Sequence, residues 1–91
     1  MEARDKSDLG TRLKKISGQI TGLQRMVDDN RALVDLITQV SAVRAALRSV
    51  TNVLLASHVE ERASGALTTE SVRERREFVN ELVRLVRMRD A

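Results

Sequence analysis

The sequence predicts an all-α protein, a three-helix protomer whose long helical hairpin pairs with the hairpin of a second copy. Three observations support this fold class. The 91 residues include no proline and only four glycines, so little interrupts a helix. Apolar residues recur at spacings of three and four along most of the chain. Phe78 is the sole aromatic residue, so the core must consist of aliphatic side chains, which suits a helix bundle.

The first predicted helix begins after Ser7, a residue type that often caps a helix N-terminus. Its apolar residues follow one heptad stripe: Leu9, Leu13, Ile16, Ile20, Leu23 and Val27. Asp28, Asp29 and Asn30 interrupt the stripe, so the helix is expected to end there. Because this break is short, the second helix is expected to run back antiparallel to the first.

The second predicted helix is apolar on more than one side. One heptad stripe contains Leu33, Leu36, Val40, Val43, Leu47, Val50 and Leu54. A further set widens the apolar surface: Val34, Ile37, Ala45, Ala46, Val53 and Leu55. One neighbouring helix cannot cover both sets, and a helix that continues to about Ala63 would be about 50 Å long at ~1.5 Å per residue. Both features predict contacts between copies, with two hairpins forming an antiparallel four-helix bundle.

Gly65 is expected to follow the last residue of the second helix, because glycine is common at that position. Thr68 or Thr69 is then expected to cap a third helix. The apolar stripe of this helix is Val72, Val79, Leu82, Val83 and Val86. No repeat, linker or low-complexity segment divides the chain, so residues 1–91 are expected to form a single domain.

Basic residues are unevenly distributed, although the net charge is only +3. Two stretches of the predicted helices, Leu9 to Val27 and Leu36 to Val59, contain no acidic residue. Their basic residues are Arg12, Lys14, Lys15, Arg25, Arg44 and Arg48. In the third helix, arginines alternate with glutamates, which favours local pairing of the two residue types.

Parts of these acid-free stretches form compact basic faces. Arg12, Lys15 and Gln19 lie within about 60° of one another on a helical wheel. Arg44 and Arg48 are one turn apart on the second helix. Such a face can bind phosphates, and it is also common among solvated positions of a bundle. The charge pattern alone leaves both interpretations open.

Several classes of protein are excluded or disfavoured. The sequence has no cysteine, so it forms no disulfide and no thiolate metal site. No run of about twenty apolar residues predicts a membrane-spanning helix. The charged N-terminal segment MEARDKSD lacks the apolar core of a secretion signal. We therefore expect a cytoplasmic protein without a membrane partner.

The chain resembles the CsoR/FrmR-type repressors in three segments: RLKKISGQITGLQRM (12–26), VDLITQVSAVRAAL (34–47) and LLASH (54–58). The segments occur in the family's order with fitting spacing, and the resemblance covers about residues 9 to 87. These bacterial regulators sense copper, nickel, cobalt, sulfur species or formaldehyde. The resemblance implies a homotetramer, a dimer of antiparallel four-helix bundles. It also implies that this assembly binds operator DNA when unliganded and releases it when an effector binds.

The resemblance also implies a DNA-binding surface made of basic residues from the first two helices, without a helix-turn-helix. The corresponding positions are Arg12, Lys14 or Lys15, Arg44 and Arg48, with Gln19 nearby. They coincide with the acid-free stretches, which favours the phosphate-binding interpretation over the solvated one. The implied partners are operator DNA and further copies of this chain, and no cofactor is expected.

The sequence departs from the family at the sensor site. Metal-sensing members have a cysteine near the start of the second helix, a later histidine, and often a second cysteine four residues after it. A glutamate in the third helix supports the liganded site. The corresponding residues here are Leu33, His58, Arg62 and Glu81.

These four residues are a poor set of metal ligands. Soft copper(I) needs sulfur and a cationic arginine repels a metal ion, so we expect no metal site. For His58 the alternatives are a hydrogen bond to a neighbour such as Glu81, direct contact with an effector, and metal ligation, and the first is best supported. The effector is unknown: either it does not react with thiols, or sensing has been lost.

Two other classes of function fit part of the sequence. A bundle that only binds another protein would use the apolar surface of the second helix. Small helical chorismate mutases have a similar length and similar charged residues. However, their opening pattern of arginine followed by isoleucine-aspartate pairs is missing, and few acid-base candidates are present. The sequence therefore predicts a non-enzymatic, DNA-binding transcriptional repressor, with a protein-interaction module as the alternative.

Overall fold

The protein folds into three α-helices joined by short connections. A computed structural model describes the backbone of residues 1–91 and every side chain except those of Ser64 and Leu67. The helices are α1 (Ala3–Asp28), α2 (Leu33–Thr68) and α3 (Val72–Asp90). Residues 1–91 contain no strand, which confirms the all-α fold class. In the part of the chain described, no helix is both long enough and apolar enough to cross a bilayer.

The start of α1 differs from the prediction, whereas its end agrees. α1 begins at Ala3, one turn before Ser7, so Ser7 is not its N-cap. The N-cap is Glu2, whose backbone carbonyl accepts a hydrogen bond from the Lys6 N–H at 3.1 Å. At a solvent-exposed helix start, water can satisfy the remaining N–H groups, and no side-chain cap is required. α1 ends at Asp28, and Asn30 adopts a left-handed φ of 56°, which asparagine tolerates.

The connection between α2 and α3 also corrects the prediction. α2 continues through Gly65, which has a negative φ and therefore does not end the helix. The Thr69 N–H donates to the Gly65 carbonyl at 3.1 Å. Ser71, and neither Thr68 nor Thr69, caps α3, because its hydroxyl accepts from the Glu74 N–H at 3.2 Å.

The three helices form one layer, with α2 in the middle. α1 packs antiparallel on one side of α2 and α3 packs antiparallel on the other, and α1 does not contact α3 anywhere in the chain as described. The Cα atoms span 61 × 27 × 11 Å. This thickness leaves no room for a second layer, because packed helix axes lie about 8–10 Å apart and each helix has a Cα radius of about 2.3 Å.

A single layer buries little apolar surface. Among the described residues, the buried hydrophobic side chains are Leu9, Ile16 and Phe78, and none is less than 2% exposed. Other members of the predicted heptad stripes are 42–55% exposed: Leu13, Ile20, Val27, Val40, Leu47 and Leu54. An exposed apolar face of this extent is typical of a surface that another chain covers.

Two isoleucines one turn apart on α1 test whether copies of the chain cover this face. Ile16 is 4% exposed and Ile20 is 45% exposed. Ile16→Ala is expected to lower the free energy of unfolding by about 2–5 kcal/mol. We expect Ile20→Ala to have a comparable cost, because the predicted four-helix bundle would bury Ile20 between copies.

Urea unfolding at two protein concentrations measures both effects. The stability of an oligomer rises with protein concentration, so the unfolding midpoint is expected to shift. A cost below about 0.5 kcal/mol for Ile20→Ala, as at an ordinary surface position, together with a midpoint independent of concentration, would contradict the predicted bundle.

Candidate nucleic-acid interface and sensor positions

Three of the predicted DNA-binding residues lie together where α1 meets α2. Arg12, Lys15 and Gln19 line a shallow cleft whose other wall includes Ala46 and Ser49 of α2. Lys15 is exposed, whereas Arg12 and Gln19 are half-buried. The helical period therefore predicted which residues share this face.

Arg12 is held in place by both helices. Its Nε donates to the two carboxylate oxygens of Asp8, at 3.1 and 3.2 Å. Its Nη1 donates to the Ser49 hydroxyl at 2.6 Å. The side chain is still 39% exposed. The guanidinium is therefore oriented by the protein, yet it remains accessible to a phosphate.

Gln19 contributes a polar group at the far end of the same cleft. Its backbone carbonyl accepts from the Gln39 side-chain amide at 3.4 Å. Its side-chain Oε1 is buried and has no hydrogen-bond partner in the part of the chain described. An unpaired buried acceptor costs about 1–3 kcal/mol, so a donor that reached this oxygen would bind favourably.

Lys14 does not belong to this cleft. At about 100° per residue, Lys14 lies about 200° from Arg12 around α1, whereas Lys15 lies about 60° from Arg12. Lys14 is exposed. Of the two lysines that the resemblance left open, Lys15 is the one beside Arg12.

Arg44 and Arg48 lie in a second cleft, where the end of α3 meets α2. Arg89 and Asp90 of α3 and the C-cap residue Ala91 are also part of the lining of this cleft. Arg48 Nη2 pairs with Asp90 Oδ1 at 3.2 Å. The six predicted residues therefore divide into an α1–α2 group, an α2–α3 group and the separate Lys14.

Among the sensor positions, His58, Arg62 and Glu81 form one ion-paired cluster between α2 and α3. His58 Nε2 hydrogen-bonds to Glu81 Oε1, and Arg62 Nη1 donates to Glu81 Oε2 at 3.0 Å. The Arg62 guanidinium carbon also lies 6.0 Å from the centroid of the Phe78 ring, within cation–π range. Each carboxylate oxygen of Glu81 thus has a partner on α2.

This cluster changes the acidity of Glu81. The hydrogen bond from His58 holds the pKa of Glu81 below its usual value of 4.5, and the positive charge of Arg62 acts in the same direction. Partial burial of the carboxyl opposes both effects without cancelling them. Glu81 is therefore ionised at neutral pH and binds α3 to α2.

Leu33 does not join the other three sensor positions within one protomer. It is the first residue of α2 and is 70% exposed. His58 lies about 25 residues further along the same helix, roughly 37 Å away at 1.5 Å per residue. A single protomer therefore has no complete pocket of the kind that the four sequence positions suggested.

The donor atoms at these positions do not fit a metal ion. Leu33 offers no donor, Arg62 already neutralises Glu81, and the donor atoms of His58 and Glu81 are bonded to each other. Across the described side chains, no three His, Asp or Glu residues lie close enough together to hold a metal. To bind Glu81, a metal ion would have to displace the Arg62 guanidinium, and these positions offer it no sulfur ligand.

Sequence reasoning missed four residues that shape the basic clefts: Asp8, Ser49, Arg89 and Asp90. The spacing of four residues between Asp8 and Arg12 is a readable signal of a helical ion pair. The other three residues contact a residue on a different helix. Their contacts depend on the register of α1 and α3 against α2, which hydrophobic periodicity does not specify.

Comparison with known proteins identifies the family. Residues 5–88 match the family of metal-sensitive transcriptional repressors. The chain is 38% identical over 65 residues to the copper-sensing transcriptional repressor CsoR of Bacillus subtilis (strain 168), an alignment that covers 71% of this chain and 64% of that protein.

Two further relatives have similar coverage. The copper-sensing transcriptional repressor RicR of Mycobacterium tuberculosis (strain ATCC 25618 / H37Rv) is 39% identical over 56 residues, which is 62% of this chain and 58% of RicR. The transcriptional repressor RcnR of Escherichia coli (strain K12) is 31% identical over 58 residues, which is 64% of each chain. The alignments thus span less than two thirds of each relative. Because the family match extends over nearly all of α1, α2 and α3, the chain belongs to the metal-sensitive transcriptional repressors, as the resemblance of its three segments predicted.

Proposed function

We propose that the protein is a DNA-binding transcriptional repressor that acts as a homo-oligomer and does not respond to copper. The observation that carries this proposal is the family match across residues 5–88. The relatives above are repressors, two of them named as copper-sensing. In this proposal, the protein binds operator DNA when no effector is bound to it. No enzymatic activity is expected.

The proposed DNA-binding surface consists of the two basic clefts beside α2. Duplex DNA carries one negative charge per about 1.7 Å of its axis, so a flat protein face can bind several phosphates at once. Arg12 supports this role because Asp8 and Ser49 orient its guanidinium while leaving it accessible. In the part of the chain described, Lys15 and Arg44 form no salt bridge, so their charges are available to phosphates.

The proposed oligomer forms through the exposed heptad residues of α1 and α2. Leu13 and Ile20 lie about 40–60° from Ile16 on one side of the α1 helical wheel, whereas Arg12, Gln19 and Lys15 lie about 40–100° away on the other side. One face of the hairpin is therefore suited to self-association, and the opposite face to DNA. Two hairpins packed through their apolar faces form an antiparallel four-helix bundle, and pairing of two such bundles gives a tetramer.

At the sensor positions, we propose that Arg62 supplies the positive charge that would otherwise come from a bound ion. Arg62 and His58 satisfy both oxygens of Glu81, so α3 is fixed to α2 without a metal. A ligand changes an equilibrium between two conformations only if it binds them with different affinities. Copper or nickel, which lack a site here, would therefore leave the DNA complex unchanged.

The DNA-binding surface is tested by single alanine substitutions. Arg12→Ala, Lys15→Ala and Arg44→Ala are each expected to weaken binding to DNA from upstream of the gene and to reduce the salt slope by about one per lost phosphate contact. Arg73→Ala is the matched control, because Arg73 is exposed on α3 and pairs with Glu77.

Fluorescence anisotropy over a series of KCl concentrations measures affinity and slope together, and circular dichroism checks the fold. An Arg12→Ala, Arg44→Ala double variant with unchanged affinity and slope would remove the proposed surface. Complete absence of sequence-specific binding by the unaltered chain would instead favour a protein-interaction module.

The sensor proposal predicts that copper(I) and nickel(II) do not bind with submicromolar affinity and do not release DNA. The reason is the donor set, which lacks sulfur and contains a competing guanidinium. A Leu33→Cys, Arg62→Cys double variant is the matched gain-of-site protein, because it installs thiolates at both positions where the family has cysteine. Isothermal titration beside a DNA-release assay checks both proteins. Stoichiometric metal binding by the unaltered chain that is lost in His58→Ala would overturn the proposal.

The Glu81 cluster predicts how stability depends on pH. Since the pKa of Glu81 in the folded protein lies below 4.5, its stabilising contribution is present above that pH. The contribution is lost as the pH falls through the lowered value. Urea unfolding between about pH 5 and pH 3 is expected to show a smaller loss of stability in Glu81→Gln than in the unaltered protein. Glu77→Gln is the control, and equal losses in all three proteins would refute a role for the cluster.

A further inference from the structure

One turn of α2 is approached by arginines from both neighbouring helices. From α1, Arg12 donates to the Ser49 hydroxyl at 2.6 Å. From α3, Arg89 Nη1 donates to the side-chain oxygen of Asn52 at 3.4 Å. Arg48 lies in the same turn of α2. Three guanidinium groups, one from each helix, therefore lie at residues 48–52 of α2: those of Arg12, Arg48 and Arg89.

A single carboxylate connects two of these arginines. Asp90 Oδ1 accepts from Arg48 Nη2 and from Arg89 Nε, both at 3.2 Å. The Arg48 and Asp90 side chains are 60% and 51% exposed, so this ion pair lies at the surface. A guanidinium has five N–H donors, and most of those on Arg48 are left for another acceptor.

Two other arginines on the α2–α3 side each pair with a different carboxylate. Arg73 pairs with Glu77 on the same helix, and Arg62 pairs with the half-buried Glu81. Near the end of α3, by contrast, Arg48 and Arg89 share the carboxylate of Asp90, and Arg44 lines the same cleft without a described ion pair. The cleft therefore carries an excess of positive charge that the chain itself does not neutralise.

We propose that Arg12, Arg48 and Arg89 form one phosphate-binding strip across the three helices, and that Asp90 occupies Arg48 and Arg89 until a DNA phosphate displaces it. This inference rests on the proposed DNA-binding function and extends it to α3. A phosphate diester offers anionic oxygens that accept the same N–H groups as the Asp90 carboxylate. Asp90 thus acts as an internal competitor that lowers affinity for DNA of any sequence.

Two substitutions in the full chain test the strip. Asp90→Asn removes the competitor and is expected to tighten DNA binding about two- to fivefold, the range for a surface ion pair. Arg89→Ala is expected to weaken binding and reduce the salt slope by about one, whereas Arg89→Lys keeps the slope because it keeps the charge. The gain from Asp90→Asn is expected to shrink in an Arg48→Ala background, because one of the two competed arginines is then absent.

The matched controls lie on the same helix and make the same charge changes. Glu77→Gln removes one carboxylate from an exposed arginine pair, and Arg73→Ala removes the arginine of that pair. Anisotropy with DNA from upstream of the gene, over a KCl series, measures every variant, and circular dichroism confirms that each one is helical.

The outcomes separate this inference from the proposed function. If Arg12→Ala weakens binding, but Asp90→Asn matches Glu77→Gln and Arg89→Ala matches Arg73→Ala, the DNA-binding function stands and the role of α3 is overturned. If the unaltered chain binds no DNA, the proposed function fails and the strip fails with it. A gain for Asp90→Asn above that for Glu77→Gln, reduced by Arg48→Ala, supports the strip.

Discussion

The position of α2 between α1 and α3 is the constraint on which the rest of the structure depends. α1 and α3 pack on opposite sides of α2, so α1 and α3 do not cover each other. The protomer is therefore one layer thick. A layer of helices buries side chains only along its two seams. Leu9, Ile16 and Phe78 lie along these seams, and the remaining heptad residues stay exposed. The exposed apolar residues of α2 are those expected of a helix that another chain covers, and for this reason we propose that a second copy completes the core.

The same arrangement separates two surfaces with different chemistry. In α1, the residue that faces α2 is Ile16, and the helical period places Leu13 and Ile20 on one side of it and Arg12 and Lys15 on the other. One surface is therefore apolar and the other basic. In the proposed function, the apolar surface binds another copy of the chain and the basic surface binds DNA.

Local sequence signals predicted the elements, but not the contacts between them. The heptad stripes and the Asp28–Asn30 break predicted the α1–α2 hairpin, because periodicity and turn chemistry act within a few residues. Gly65 was misread because glycine ends a helix only where a left-handed residue is needed, and α2 simply continues there. At the clefts, the helical period grouped Arg12 with Lys15 and Gln19. Ser49 and Asp90 could not be predicted, because their roles depend on the register between helices.

Register also connects the sensor positions to the basic strip. Glu81 fixes α3 to α2 through His58 and Arg62, and Asp90 contacts Arg48 about two and a half turns further along α3. Both contacts lie along one α2–α3 seam, so a shift of α3 that breaks one also strains the other. The ion pair between Arg62 and Glu81 therefore has a consequence beyond the sensor positions. It holds the end of α3, with Arg89 and Asp90, against the turn of α2 that Arg12 approaches from the other side.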